Sequence, residues 1–222
     1  MLNEQLYLES LAKRNTQGIL KLVKDVPAIQ RFELESQQET GMIPNLPFYH
    51  IMLDVYENNG KMFRYPHIYY EKYGSAGLVL IHSNNQTFLL LEKIFRVFHN
   101  TVFLEIPRGF GNPEDSSSIE TILRELAEEC NLCMESEKID YTLKKLGKTV
   151  PDSGISNNIV DLYQIDIYLH QNEDIHLKNN DTDEKITGYM LIPKEEIKKY
   201  IREKITDGFT LSAVCLYWAE NT

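Results

Sequence analysis

Residues 47–70, PFYHIMLDVYENNGKMFRYPHIYY, place two aromatic and β-branched runs on either side of Asn59-Gly60. That pair is a strong type I′ turn signal, and the runs around it predict a β-hairpin. The arrangement repeats at once: AGLVLIH, the turn SNNQ, then TFLLLEKIFRVF, followed by the short strand TVFLEIP. Further along, YTLKKLGKTV and IVDLYQIDIYLH read as strands joined by the loop PDSGISNN, and ITGYMLI reads as another. Two helices close the chain, PKEEIKKYIREK, with Pro193 near its start, and DGFTLSAVCLYWAEN. Mixed strands with segregated helices predict an α+β fold, an α/β/α sandwich with a mixed sheet between helices. The 13 tyrosines and 9 phenylalanines agree with a β-containing core.

The first stretch is different. Leu2, Leu6, Leu8 and Leu11, then Ile19, Leu20, Leu22 and Val23, recur near helical spacing to about residue 25. Pro27, Pro44 and Pro47 interrupt the residues beyond it. We therefore expect residues 1–45 to form an N-terminal helical/β appendage and residues 46–222 to form the main domain.

Charge and cysteine usage narrow the functions. The formal net charge is −10 and the pI about 5.1. A duplex nucleic-acid binder draws much of its affinity from basic contacts to phosphate, and no basic stretch is present, so no nucleic-acid partner is expected. Three cysteines, Cys130, Cys133 and Cys215, do not make a disulfide scaffold. Cys130-x-x-Cys133 lacks the second ligand pair that zinc needs, and reads as a core cysteine at a helix end. The N-terminus carries early charges without an apolar signal core, and AGLVLI and TFLLL are too short to span a bilayer. These features predict a cytoplasmic protein with no membrane partner.

Chemistry concentrates in GFGNPEDSSSIETILRELAEECNL, residues 109–132. Ser117-Ser118-Ile119-Glu120 is a capping box, and Ile119, Ile122, Leu123, Leu126 and Cys130 mark an apolar stripe on the helix it opens. Glu125, Glu128 and Glu129 fall at i, i+3 and i+4, with Arg124 beside them. Like charges at these spacings repel. A hard divalent cation removes that cost: Mg²⁺ takes oxygen ligands and is commonly shared with substrate phosphates. An ordinary solvated acidic face is the simpler alternative for such a pattern standing alone.

With LEIPRGF just upstream, the stretch resembles the signature of the Nudix hydrolases, G-x5-E-x7-R-E-U-x-E-E-x-G-U, where U is aliphatic. Arg124 to Glu129, R-E-L-A-E-E, matches its centre in full. Two positions depart. Ser116 stands where the signature has its first glutamate, with Gly109 one residue too far upstream, so Glu114 and Asp115 are the candidates to supply that carboxylate. Asn131 replaces the closing glycine, a mild change because asparagine also tolerates a left-handed helix end. The segment LLLEKIFRVFHNTVFLEIPRG is similar to the ADP-ribose and ADP-sugar pyrophosphatase branch, where an arginine-bearing strand precedes E-L-P-A-G.

The resemblance implies a pyrophosphohydrolase that cleaves a nucleoside diphosphate linked to another moiety, ADP-ribose or a nucleotide sugar. It implies Mg²⁺ or Mn²⁺ on Glu125, Glu128 and Glu129, with Arg124 orienting them. It implies substrate contacts at Arg96 and Glu105, and an appendage that joins two copies into a homodimer. Arg64 is a further candidate for substrate phosphate, because a guanidinium suits bidentate contacts. A later-loop glutamate acts in catalysis in some branches; here it would be Glu184, with Asp183 second. Tyr69, Tyr70 and Phe48 are candidates for base stacking, or else core aromatics. Asn157 and Asn158 stand where the family often has an acid, which leaves room for a catalytically weak sensor or interaction module. RNA decapping is disfavoured by the absence of a basic surface. The six histidines form no ligand pair and read as structural or surface residues.

Overall fold

The computed structural model describes residues 21–27, 49–58, 61–70, 72–134, 139–170, 175–181 and 185–221. β2 (Tyr49–Asn58) and β3 (Lys61–Tyr70) form the first hairpin, with Asn58 opposite Lys61, so the register leaves two residues for the turn. β1 (Lys21–Pro27) adds to β2, giving an antiparallel sheet in the order β1-β2-β3. Here the helical spacing read through Leu22 and Val23 is corrected. Val23 and Val26 favour extended backbone, and pairing with β2 overrides the local period, with an irregularity between Leu22 and Lys24. Residues 1–20 lie outside the described set.

The loop Asp152–Asn158 completes this smaller unit. Ile68 donates its N–H to Ile155 O at 2.7 Å. Asn157 acts as a side-chain copy of a strand residue: its Oδ1 accepts from Tyr70 N at 2.7 Å and its Nδ2 donates to Tyr70 O at 3.1 Å. Asn157 is thus explained by strand pairing, and Asn158 is buried.

The larger unit comprises Tyr73–Pro151 and Ile159–Thr222. Its strands are β4 (Gly74–Ser83), β5 (Gln86–Arg96), β6 (Thr101–Glu105), β7 (Arg108–Phe110), β8 (Asp140–Thr149), β9 (Val160–Tyr168) and β10 (Ile186–Pro193). They pair in the order β10-β5-β4-β9-β8, with β6 on β5 and β7 on β4. β4 runs parallel to β9 and the other pairings are antiparallel, so the sheet is mixed. The helices are α1 (Ser118–Cys130), α2 (Ile197–Glu203) and α3 (Gly208–Asn221). A 3₁₀ turn over Lys194–Glu196 precedes α2, so Pro193 sits just ahead of that turn.

Successive residues of a strand face opposite sides of a sheet. Leu78, Leu80, Leu89 and Leu91 form one core with Ile197 of α2 and Ala213, Val214 and Tyr217 of α3. Val79, Ile81, Leu90 and Ile165 form another with Ile122, Leu126 and Cys130 of α1. Both faces of β4 and β5 are covered, and this is why their sequences are continuous apolar runs. The α/β/α sandwich expected from sequence is the observed architecture. Among the described residues no helix is long and apolar enough to cross a membrane.

Gly77 sets how close α1 lies to the sheet. A Cβ there would stand 3.2 Å from Ile122 Cδ1 and 3.0 Å from Ile165 Cδ1. Gly77→Val is expected to lift the helix and cost about 1–3 kcal/mol, read from the urea midpoint. Gly208→Ala is the control: nothing lies within 4 Å of its Cβ position, and its stability should stay within about 0.5 kcal/mol of the parent.

Candidate functional site

α1 carries the site and both its ends are fixed by sequence. Ser117 is extended, and its Oγ accepts from Glu120 N at 3.2 Å. The return contact of the capping box is displaced by one residue: Glu120 takes Ser116 N at 2.7 Å and Ser116 Oγ at 2.5 Å. Ser118 Oγ reaches Asp161 and Tyr163 on β9, which pins the first turn to the sheet. At the other end Asn131 takes the left-handed conformation at φ 60°, and Leu132 N closes on Leu126 O at 2.9 Å.

The buried stripe has two rows. Ile122, Leu126 and Cys130 meet the core, as expected, whereas Ile119 is exposed. Beside them runs a polar row, Thr121, Glu125 and Glu129, also buried. Of the three glutamates, only Glu128 reaches solvent freely, its side chain 45% exposed.

Arg124 gathers the acids. Its Nη1 donates to Glu128 at 2.7 Å, and its Nη2 lies 2.8 Å from Glu125 Oε1. The same Nη2 donates to Phe110 O at 2.9 Å, which ties α1 to β7. Asp115, just before Ser116, also reaches the guanidinium. It meets Arg124 Nη2 at 3.2 Å and Nε at 3.4 Å, and it also accepts from Thr121 Oγ1 and Asn112 N. The extra loop residue is thereby absorbed before the helix begins.

Glu125 packs on Gly109. A Cβ at position 109 would fall 1.9 Å from Glu125 Oε1, so only glycine leaves room for the carboxylate. Glu129 is held from two sides: Arg108 N donates to its Oε2 at 3.2 Å, and Tyr189 donates its hydroxyl to its backbone oxygen. Beneath, the Cys130 thiol donates to buried Glu92 at 3.1 Å.

The electrostatics follow from burial. Burial pushes the Glu125 carboxyl up to about 7, against Arg124, which pulls it down; the charges of Glu128 and Asp181 add to the rise. Burial also acts to raise Asp115, but hydrogen bonds from Arg124, Asn112 and Thr121 outweigh it and hold Asp115 below its ordinary value. Burial pushes the Cys130 thiol well up, helped by neighbouring Glu92.

Asp181 is a residue the sequence reading passed over. The N–H groups of Asn180 and Asp181 donate to Glu128 O at 2.7 and 3.2 Å, and Asn180 Nδ2 reaches Asn131 Oδ1. An Asx turn, Asp181 N to Asn179 Oδ1 at 2.9 Å, shapes the loop. The signal was present in the Asn-Asn-Asp run, which favours such a turn. Glu184 and Asp183 lie outside the described residues. So does the side chain of Arg64, whose backbone pairs with Val55 in β3. Phe48 is likewise outside, and Tyr69 is buried.

A second cluster adjoins the first. Arg96 meets Glu105 in a two-pronged pair at 2.9 and 2.6 Å, and Arg108 Nη2 reaches the same carboxylate at 2.6 Å. Burial acts to raise Glu105, but the hydrogen bond from Arg96 and the charge of Arg108 prevail and hold it low. Arg108 also stacks on Phe209, 4.2 Å from the ring centroid, and lies 3.9 Å from Asp207.

Do these acids suit a divalent cation? Among the described residues no group of three ligating side chains is already assembled. The donor set still fits the chemistry. Glu125 and Glu129 are buried carboxylates, Glu128 and Asp181 stand beside them, and burial, with the charges of Glu128 and Asp181, keeps Glu125 partly protonated near neutrality. A hard cation with oxygen ligands relieves that crowding.

No protein-family model matches the chain, and no curated protein matches it in sequence. A solved structure described as the crystal structure of an ADP compounds hydrolase is similar in fold, with a TM-score of 0.58 over 91% of this chain and 95% of that one, at 14% identity.

The pH dependence has a defined sign. The folded value of Glu125, about 7, lies above its ordinary 4.5, so its contribution to stability is full below the ordinary value and lost as pH rises through 7. The metal-free protein should melt lower at pH 8 than at pH 6. Millimolar Mg²⁺ or Mn²⁺ should raise the melting temperature more at pH 8. Glu125→Gln should shrink the metal-free difference; scanning calorimetry reads all three.

Proposed function

We propose that the protein is a divalent-metal-dependent pyrophosphohydrolase of the Nudix type, acting on a nucleoside diphosphate linked to another moiety, ADP-ribose or a nucleotide sugar. The observation that carries this reading is the Arg124 hub. The chain departs from the resembled signature at Ser116, yet Asp115 brings a carboxylate to the guanidinium from the neighbouring position. An ordinary solvated acidic helix has no cause for two of its three glutamates to be buried, or for a glycine to be hollowed against one of them. The fold likeness to an ADP compounds hydrolase supports the same substrate class.

In this reading water adds to one phosphorus and the bridging P–O bond breaks, giving a nucleoside monophosphate and a sugar phosphate. Glu125, Glu128 and Glu129 would hold Mg²⁺ or Mn²⁺. When bound, the cation polarises phosphoryl oxygens and offsets their charge. Arg124 holds the backbone of Phe110 and three carboxylates in register, so their positions are set before substrate arrives. Glu184 or Asp181 takes the proton of the attacking water. Arg96 with Glu105, and Arg64, meet the substrate. Residues 1–45 join two copies.

A second reading, a catalytically weak nucleotide-sugar sensor, draws on one observation: Arg124 already neutralises Glu125 and Glu128. An assay with Mg²⁺ or Mn²⁺ on ADP-ribose, nucleotide sugars, dinucleoside polyphosphates and nucleoside triphosphates separates the two. We expect turnover of the first two classes. Asp115→Asn should lose about 10–100-fold, as for a partner that orients ligands, and Glu128→Gln more than that. Glu184→Gln should slow turnover and leave affinity nearly intact. Binding of ADP-ribose without hydrolysis would favour the sensor, and full activity in Glu128→Gln would remove the metal-site assignment.

A further inference from the structure

A cavity of about 660 Å³ opens between the end of the β5–β6 pair and the start of α3, lined by Arg96, His99, Phe103, Arg108, Lys185 and Asp207 among others. That volume lies in the range of small-molecule sites, on the order of 300–1,000 Å³. Three of its lining residues are full cations, Arg96, Arg108 and Lys185, against the two carboxylates Glu105 and Asp207, a local excess of one positive charge (3 − 2) in a chain of net −10. Both carboxylates are committed within the protein. Glu105 is shared by the two arginines, and Asp207 accepts from Thr210 N at 2.8 Å and Thr210 Oγ1 at 2.7 Å.

Arg108 is the informative residue. Its two carboxylate contacts both fall on Nη2. Its Nε is buried with no hydrogen-bond acceptor, a costly state for a charged donor. Its guanidinium lies over the ring of Phe209. Its backbone N–H meanwhile holds Glu129 of the acidic face. The cavity and that face are therefore joined through one residue, which stands where the resembled E-L-P-A-G segment has alanine. Arg108 thus brings positive charge to a cavity whose two carboxylates are already committed within the protein, a setting that suits an anionic occupant.

We propose that this cavity seats the part of the substrate beyond the pyrophosphate, and that Arg108 selects a part bearing its own oxyanion, a phosphate or a carboxylate. The inference rests on the pyrophosphohydrolase reading and narrows it to substrates that carry a further oxyanion beyond the pyrophosphate.

Two substrate pairs isolate the added group: ADP-ribose with ADP-ribose 1″-phosphate, and UDP-glucose with UDP-glucuronate. For each compound, kcat/KM is measured with Mg²⁺, and Kd by calorimetry in EDTA, where no turnover occurs. In at least one pair the oxyanion-bearing member should be preferred by about 10- to 100-fold, the worth of a hydrogen bond to a charged group. Preference in the first pair alone identifies phosphate, and in the second alone carboxylate. Arg108→Ala should abolish the preference, so that the two members of each pair are handled alike. Arg108→Lys, which keeps the charge, should retain part of it, and it serves as the second variant if the alanine form unfolds. Equal handling of both members in both pairs, or a preference untouched by Arg108→Ala and Arg108→Lys, overturns the inference while leaving hydrolysis standing. Discrimination in Kd without turnover of any compound supports the cavity's role and sinks the hydrolase reading instead.

Discussion

One guanidinium organises the acidic face. Left to themselves, Glu125, Glu128 and Asp115 would repel one another beside α1. Arg124 meets all three and also the backbone oxygen of Phe110, so the side chain that settles the charge also fixes the helix against β7. An arginine does this where a lysine would not, because its nitrogens diverge in a plane toward separate acceptors. The remaining supports depend on that arrangement. Gly109 makes room for Glu125, the Arg108 amide holds Glu129, and the 175–181 loop closes on the Glu128 carbonyl. Arg124 is itself held firmly protonated, because the hydrogen bond to Asp115 and the charges of Glu125 and Glu128 outweigh the cost of its burial.

Local rules made much of this legible. The turn pairs, the apolar runs and the capped helix placed the strands of both hairpins and α1 correctly, because each is determined by residues near in sequence. The serine cap, the asparagine stop and the shared face of three glutamates were readable for the same reason. Burial was not. Nothing local distinguishes Glu129 from Glu128, adjacent in the chain, yet one is enclosed and the other open, because β5, β7 and β10 arrive on one side only. Helical spacing at Leu22 and Val23 gave way to strand pairing with β2, a partner about thirty residues distant. Asp181 and Arg108 escaped notice because their roles arise from contacts across the sheet and across a loop, with no spacing rule to mark them. For Asn157 the sequence suggested a missing acid, and the structure assigns its amide to the backbone of Tyr70.

The two cores show how the sheet serves the site. Alternate residues of β4 and β5 feed separate helical layers, so α1 can be shaped around charged groups while α2 and α3 stabilise the opposite face. The polar row of α1 lies along the margin of its apolar row, where buried carboxylates find backbone donors and the arginine. The burial that raises Glu125 is thus a by-product of the packing that holds the helix in place.

The contact between Asp115 and Arg124 bears on how such a loop changes over time. On either side of the stretch, Gly109 is set by its contact with Glu125 and Ser117 by its cap on Glu120 N. A residue gained in the intervening stretch shifts which position faces the guanidinium but leaves the guanidinium where it is. Because the stretch carries neighbouring acids, Glu114 and Asp115, a single slip delivers a new carboxylate without a compensating second mutation. A change of one residue in the length of this loop can therefore bring a different side chain to Arg124 and still leave a carboxylate there.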